Sequence, residues 1–254
     1  MDFDTTLRVA TELFGAIWVT LALAAATLPL GFLFAALATW ARNSRYRIVR
    51  LVAEAYVLVF RSTPLLVQIF LLYYGLSQFA WLRASWAWIV LRDPFSCAII
   101  AMSLCAGAYT SEVMRGGLAA IPSGVIEAAR ALGLSQLRVF FLVTAPIAIR
   151  RALPAYSNEI IVTLKSTSLA STITVMELTG VAKDLMSQTF AVIEVFCMVA
   201  VIYLVINMTL IFALRRLEIW LTPDYLRVKS HRRPKHAGPA MPDGAGAWRP
   251  SRPT

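Results

Sequence analysis

Two charged residues, Glu159 and Lys165, lie within an otherwise apolar stretch at positions 153–173. A charge at the centre of a membrane-spanning helix costs about 2.5 to 3.5 kcal/mol on translocon scales, so such groups usually mark a cavity or a pathway. Six residues give about 600° of helical rotation, so the two charges lie about 120° apart and cannot pair directly. The same stretch also contains the polar residues Asn158, Thr163, Ser166, Thr167, Ser168, Ser171 and Thr172. One face is therefore predicted to line a cavity or a subunit interface.

Arg61 lies inside another apolar stretch, directly before Ser62-Thr63-Pro64. Pro64 cannot donate a backbone hydrogen bond, so it frees a carbonyl one turn back, around Phe60, which nearby hydroxyls can help to satisfy. Two interpretations of Arg61 are equally open. It forms a structural ion pair with an acidic residue of a neighbouring helix, or it has a role in a pathway. Glu54 and Glu112 lie near the ends of their apolar stretches, where pairing with loop arginines is favoured.

The composition requires a membrane. The chain has 254 residues, of which 59% are hydrophobic and 15% charged, and its mean hydropathy is +0.68. This is more apolar material than a water-soluble core of this size can enclose. Because a spanning helix needs about 20 mainly apolar residues, we predict an all-α integral membrane protein with about five transmembrane helices. Their predicted ranges are 14–40, 52–78, 95–114, 153–173 and 192–214.

The basic residues predict the orientation. Nine arginines lie in the connections 42–50 and 115–151, whereas the alternate connections contain only three basic residues: Arg83, Arg92 and Lys183. By the positive-inside rule the N-terminus is outside and the longer loop is cytoplasmic. The segment 227–254 is basic and rich in Pro, Gly and Ala, and is expected to be a disordered cytoplasmic tail. Attraction of this tail to anionic lipid headgroups is favoured over a nucleic-acid partner.

Residues for catalysis or metal binding do not form a recognisable pattern. The three cysteines, Cys97, Cys105 and Cys197, lie in apolar segments without metal-ligand spacing, which favours packing thiols. There is no nucleotide-binding P-loop, zinc-protease motif or serine-hydrolase motif. We therefore predict a protein that is not an enzyme and that has no catalytic residues and no metal of its own.

The stretch 120–136 is unusually polar for this chain. Ile121-Pro122-Ser123-Gly124 predicts a turn, and the residues Val125 to Leu132 predict a short helix with Ile126, Ala129 and Leu132 or Gly133 on one side. Gly133 is a suitable end for this helix because glycine accepts a positive φ. A helix of two turns is not stable alone. From the physics, a helix lying on lipid and a helix docking on another protein are equally open.

The spacing within this loop resembles a known motif. Glu127-Ala128-Ala129, three residues, Gly133, nine residues and Val143-Thr144-Ala145-Pro146 resemble the EAA loop of ATP-binding-cassette (ABC) importer permeases. That pattern ends in I-x-L-P, so Ala145 is a departure. The chain also resembles the histidine, octopine and nopaline branch of polar amino-acid permeases. The matching stretches are FRSTPLLVQIFLLYYGLSQF (60–79), AYTSEVMRGGLAAIPSG (108–124), LPAYSNEIIVTLKSTSLASTIT (153–174) and VIYLVINMTLIFALRRLEIWL (201–221).

This resemblance implies a type I ABC importer permease fold over residues 1–226, with a coupling loop at about 115–151, in the bacterial cytoplasmic (inner) membrane. It implies a second permease subunit, identical or related, a dimer of ATPases that holds ATP and Mg, and an extracytoplasmic solute-binding protein. The resemblance assigns contact with the ATPase to Glu127, Ala128, Ala129 and Gly133. This chain would bind no cofactor itself.

The resemblance also places a polar, basic amino acid or an opine near the run 158–167. Glu159 would then hold a positive group of the substrate, and Lys165, with Ser166 and Thr167, an anionic group. Asn158, Arg61 and Cys105 complete the expected pathway residues. Ser166 stands where relatives often have an acid, and Cys105 where they often have Asn, so this chain could also be the half of a heterodimer that does not bind substrate. A passive channel and a membrane scaffold without transport activity are the alternatives.

Overall fold

The computed structural model describes residues 2–221, and the predicted tail 227–254 lies outside this range. Within the described residues the chain is helical and contains no strand. The helices are, in chain order, α1 (Phe3–Arg42), α2 (Arg47–Ser62), α3 (Leu65–Phe70), α4 (Ala80–Arg83), α5 (Ala87–Leu91), α6 (Pro94–Ala119), α7 (Ser123–Ala131), α8 (Gln136–Val139), α9 (Ala145–Ser166), α10 (Leu178–Thr189) and α11 (Val192–Leu221). Short π-helical segments follow α3 (Leu71–Gly75) and α8 (Phe140–Thr144), and 3₁₀ segments occur at Leu76–Gln78 and Thr167–Ile173.

Four continuous stretches of residues 2–221 are long and apolar enough to cross a membrane: Phe3–Arg42, Pro94–Ala119, Gln136–Ile173 and Val192–Leu221. The second predicted span, 52–78, is not straight, because Arg47–Ser62 and Leu65–Gln78 differ in direction by 110°. Thr63 is extended (φ −111°, ψ 144°) and Pro64 precedes the first residue of α3. Proline disfavours the helical conformation of the residue that precedes it, which here is Thr63. If this bent pair counts as one span, the total is the five predicted.

Helix α6 is central and packs most extensively against α1. The two helices approach closely because Gly31 and Gly107 face each other: a Cβ on Gly107 would lie 2.7 Å from the Phe34 Cβ, 2.8 Å from the Tyr56 hydroxyl oxygen and 3.1 Å from the Gly31 carbonyl. Small residues are the usual means of close helix packing in membranes. Gly107 is thus the point at which α1, α2 and α6 meet.

The buried core has two parts. One contains residues of α1, α3, α6 and the segment 167–175, including Leu23, Ile69 and Met102. The other joins the first turns of α1 to α10 and α11. Cys97 and Cys105 are buried, as expected of packing thiols, whereas Cys197 is exposed on α11.

Both acidic residues near predicted helix ends are paired with arginines. Glu112 binds Arg42 of α1 and Arg115 of its own helix, the latter at 2.7 Å from Nη2 to Oε2. Glu54 lies 4.0 Å from Arg50. Glu112 therefore connects the predicted cytoplasmic ends of α1 and α6.

Candidate functional site: coupling loop and polar pathway

The predicted coupling loop contains a short helix that ends at a glycine. Helix α7 (Ser123–Ala131) overlaps the predicted 125–132, and Gly133 follows with φ +77°. The Gly133 N–H donates to the Arg130 carbonyl (2.9 Å) and the Leu134 N–H donates to the Ala129 carbonyl (3.3 Å). These two bonds are the Schellman pattern, which a residue with positive φ permits. Gly133 thus has the helix-ending role predicted for it.

The four predicted coupling residues do not all lie on the surface. Glu127, Ala128 and Gly133 are exposed, whereas Ala129 is 6% exposed and packs within the loop. The sequence groups Ile126, Ala129 and Leu132 or Gly133 on one side of the helix. Of these residues Ala129 is buried and Ile126 is partly buried, whereas Leu132 (81% exposed) and Gly133, which follow the last helical residue Ala131, are exposed.

Both ends of the loop are held close together. A Cβ on Gly117 of α6 would lie 2.7 Å from the Ala148 carbonyl and 2.9 Å from the Ala152 Cβ of α9. The helix before α7 and the helix after it therefore touch at the base of the loop. Gly117 therefore leaves no space for a side chain at this contact between α6 and α9.

The break between α2 and α3 is closed by a side chain that the sequence interpretation missed. Gln68 is buried, and its Nε2 donates to the Phe60 carbonyl (2.9 Å), the Thr63 carbonyl (3.0 Å) and the Thr63 hydroxyl (2.9 Å). The carbonyl expected to be free is thus that of Phe60, but the side-chain amide of Gln68, rather than a nearby hydroxyl, satisfies it. The Thr63 hydroxyl instead donates to Val59 (2.8 Å). The sequence signal that could have identified this role is a glutamine that lies one helical turn after a proline within an apolar run.

Arg61 lies beside this break. Its guanidinium carbon is 5.5 Å from the centre of the Tyr109 ring, and the Tyr109 hydroxyl donates to the Arg61 carbonyl (3.3 Å). Arg61 is exposed and makes no ion pair within 4.0 Å among residues 2–221. The structural ion pair considered for it is therefore not formed by the described residues.

Three predicted pathway residues come together from three helices. Glu159 of α9 is half-buried and lies close enough to Arg61 of α2 and Cys105 of α6 for electrostatic interaction with both. The Cys105 sulfur is 3.9 Å from the Phe60 carbonyl. Glu159 and Arg61 do not form an ion pair with each other within 4.0 Å.

The remaining predicted residues continue along α9. Asn158 and Lys165 are exposed on one side of the helix, with Val162 between them. The Ser166 hydroxyl donates to the Val162 carbonyl (2.9 Å). Thr167 is fully buried and donates to the Leu164 carbonyl (2.7 Å), so it contributes no open surface in this structure.

Glu177, which the sequence interpretation also missed, is fully buried between the fourth and fifth spans. Its carboxylate accepts hydrogen bonds from the N–H groups of Thr179 (3.0 Å) and Gly180 (2.9 Å) and from the Tyr203 hydroxyl (3.0 Å). It therefore caps α10 and ties it to α11. Burial raises the pKa of Glu177 above its usual value, although these bonds oppose the change.

Comparison with known proteins decides the family. Residues 27–222 match the binding-protein-dependent transport system inner membrane component family. This chain belongs to that family. It is a permease, an integral membrane component of an ABC transport system, and not an enzyme, as the sequence predicted.

Named relatives cover most of the chain. The nopaline transport system permease NocM of Agrobacterium fabrum is 45% identical over 224 residues, which is 88% of this chain and 93% of the relative. The octopine transport system permease OccM of Rhizobium radiobacter is 46% identical over 87% and 91% of the two chains. The arginine ABC transporter permease ArtM of Escherichia coli K12 is 43% identical over 65% and 74%.

Solved structures share the fold. The crystal structure of an amino acid ABC transporter with histidines superposes with a TM-score of 0.77 at 31% identity, covering 87% of this chain and 99% of the other. An inward-facing structure of the MetNI methionine ABC transporter has a TM-score of 0.70 at 19% identity over 88% and 100% of the chains, which supports the fold alone. The predicted all-α permease fold is confirmed.

Proposed function

We propose that this chain is the permease subunit of an ATP-driven importer for basic amino acids or opines in the bacterial cytoplasmic membrane. The observation that carries the proposal is the likeness, over nearly the full length of both chains, to permeases of nopaline and octopine transport systems. These relatives are named for the transport of nopaline and octopine. The half-buried Glu159 supplies a carboxylate suited to a positive group of such a substrate.

The assembly that we propose contains a second permease, an external solute-binding protein and two ATPases, which hold ATP and Mg. The ATPases contact α7 through Glu127, Ala128 and Gly133. The absence of an internal ion pair for Glu127 among the described residues supports this contact, since the carboxylate is free for a partner. Ala129 acts differently, because it packs the helix against its own loop.

Transport proceeds by alternating access in this proposal. ATP binding brings the two ATPases together, and α7 moves with them. The contact of Gly117 with α9 carries this motion to the spans that hold Arg61, Cys105 and Glu159. Lys165 and Asn158 face the same side of α9 and meet the carboxylate end of the substrate.

Charge and shape changes at α7 test the coupling role. Glu127→Lys and Gly133→Asp are expected to abolish uptake in cells, because the first reverses a surface charge and the second strains a position with φ +77°. Gly124→Asp is the matched control, since Gly124 is exposed on the same helix and has open space around it. Glu127→Lys and Gly133→Asp should reach the membrane but fail to retain the ATPases on purification, whereas Gly124→Asp should retain them. Normal uptake by both would contradict the role of α7.

Neutral replacements at the pathway charges test substrate contact. Glu159→Gln and Lys165→Met are expected to lower uptake with intact assembly, because each removes one charge that a zwitterionic substrate needs. Uptake is measured with radiolabelled arginine and octopine, and assembly by co-purification of the ATPases. Unchanged uptake by both variants would assign substrate contact to the other permease subunit. Transport that persists without the ATPases would instead indicate a passive channel.

A further inference from the structure

A cavity of about 790 Å³ lies among α1, α6 and α9, away from the broken span. Most of its wall is aliphatic or aromatic, including Phe32, Ala36, Val113 and Ile149. No Asp, Glu, Lys or Arg lines it. A zwitterionic substrate would lose its hydration there without gaining a partner charge, so this cavity does not fit the transported solute.

The position of the cavity along the helices matches one leaflet. Its walls come from the last turns of α1 and α6 and the first turns of α9, and all these helix ends lie on the predicted cytoplasmic side. The polar side chains Asn43 and Gln136 lie at that end, and the exposed ring of Trp40 lies beside them. Tryptophan at the level of lipid headgroups is typical of membrane interfaces.

Three arginines lie close in the sequence to the polar residues at the cytoplasmic end of the cavity. Arg138 lies two residues after Gln136 in the four-residue helix α8, Arg45 lies two residues after Asn43 in the loop after α1, and Arg47 is the first residue of α2. All three arginines are exposed, and none makes an ion pair with another residue of the range 2–221. Basic pockets between membrane helices on the cytoplasmic side are known to hold acidic lipid headgroups.

We propose that this cavity, named here the inner-leaflet cavity, binds an acidic phospholipid. An acyl chain occupies the apolar space beside Ala36 and Val113, and the phosphate group lies at the cytoplasmic end, near Arg138. Zwitterionic lipid fills the same apolar space but lacks the net charge that these arginines attract. The bound lipid would occupy the space among α1, α6 and α9, and the last two of these helices carry the two ends of the coupling loop.

Native mass spectrometry of the whole purified complex tests the site, with phosphatidylglycerol and phosphatidylcholine of identical acyl chains as probes. Wild type is expected to retain phosphatidylglycerol preferentially. Ala36→Phe and Val113→Phe fill the cavity from two helices and should abolish this retention. The matched control is Leu37→Phe, because Leu37 is exposed on α1 outside the cavity. Arg138→Gln should weaken retention about fivefold, the value of one headgroup contact.

Three results would overturn the proposal. Equal retention of the two lipids would remove the role of the arginines. Equal retention by Ala36→Phe and Leu37→Phe would place the lipid elsewhere. Loss of the second permease from the Ala36→Phe complex, with phosphatidylglycerol still retained, would show that the cavity is instead a subunit contact. None of these readouts depends on which solute is transported, so a failure of the proposed substrate is distinguishable.

Discussion

At the scale of single residues, two buried polar side chains stabilise the parts of this permease that helix periodicity does not explain. Gln68 satisfies the carbonyls that the break at Pro64 leaves open, and Glu177 caps α10 while accepting a bond from Tyr203. In an apolar interior an unsatisfied polar group is costly. Each residue is therefore expected to contribute to the stability of the fold, although neither places a charge in the proposed pathway.

Gln68→Leu is expected to lower the free energy of unfolding by about 1–3 kcal/mol, because the Phe60 and Thr63 carbonyls would lose a buried donor. Uptake should fall more than assembly, since Arg61 lies directly beside these carbonyls. Gln78→Leu is the matched control, because Gln78 is exposed and makes only a 3.5 Å contact. Thermal unfolding of the purified complex measures the effect. Equal unfolding temperatures for the two variants would contradict the role of Gln68.

Glu177 predicts a specific pH dependence. Because burial raises its pKa in the folded protein, the folded state holds the proton more tightly than the unfolded state. Its contribution is complete below the ordinary glutamate pKa of 4.5 and is lost as the pH rises through the raised folded value. Glu177→Gln removes this titration, so its unfolding temperature should fall less than that of wild type between about pH 4 and pH 8.

Glu194→Gln serves as the control for this measurement, since Glu194 is exposed in the first turn of α11. Its pH profile should follow that of wild type. A Glu177→Gln profile that also parallels wild type would show that the buried carboxylate does not titrate in this range.

At the scale of helices, glycine contacts determine where spans meet. Gly107 lies against Phe34 and Tyr56, and Gly117 lies against Ala148 and Ala152, so α6 has one close contact with α1 and α2 and another with α9. Such contacts fix distance as well as angle, because the interior of the protein is closely packed. Helix α6 thus has a fixed position between the broken span and the coupling loop.

Gly107→Ala is expected to destabilise the complex by about 1–3 kcal/mol, because its new methyl group would overlap atoms in two neighbouring helices. Gly116→Ala on the same helix has open space and should be neutral or slightly stabilising. The difference in unfolding temperature between the two variants isolates packing from helix propensity. Equal temperatures would mean that the three-helix crossing relaxes around the added atom.

The sequence predicted helices better than their interruptions. Hydropathy located the apolar stretches, and Gly133 located the end of α7. The 110° bend at Pro64 was not anticipated, since a freed carbonyl indicates strain but its direction depends on which donor replaces the lost bond. Periodicity grouped Leu132 or Gly133 with Ala129, but both of these residues follow the end of α7 at Ala131 and are exposed, so the buried side of the helix ends before them.

At the scale of the whole molecule, the isolated chain has polar groups where a membrane would otherwise be apolar. Asn158 and Lys165 are exposed on a predicted span, and exposing them to lipid would be costly. We therefore expect a second permease to cover this face. Several spaced motifs in order along the chain were sufficient to predict the family. The solute could not be predicted in this way, because an external binding protein, a different chain, contributes to the selection.

The length of α1 has a consequence for the outer surface. Forty residues at about 1.5 Å each give a rod of about 60 Å, roughly twice the thickness of the hydrocarbon core. Arg42, near the C-terminal end of α1, is paired with Glu112 at the predicted inner boundary of the membrane. Tilting the helix is therefore not enough to place its N-terminal turns inside the hydrocarbon core. The first turns of α1 should stand clear of the lipid, where Arg8 contacts Glu12 (2.9 Å) and Gln188 of α10 (3.4 Å). A soluble protein that approaches from outside would therefore contact these polar first turns of α1 before it reaches the bilayer.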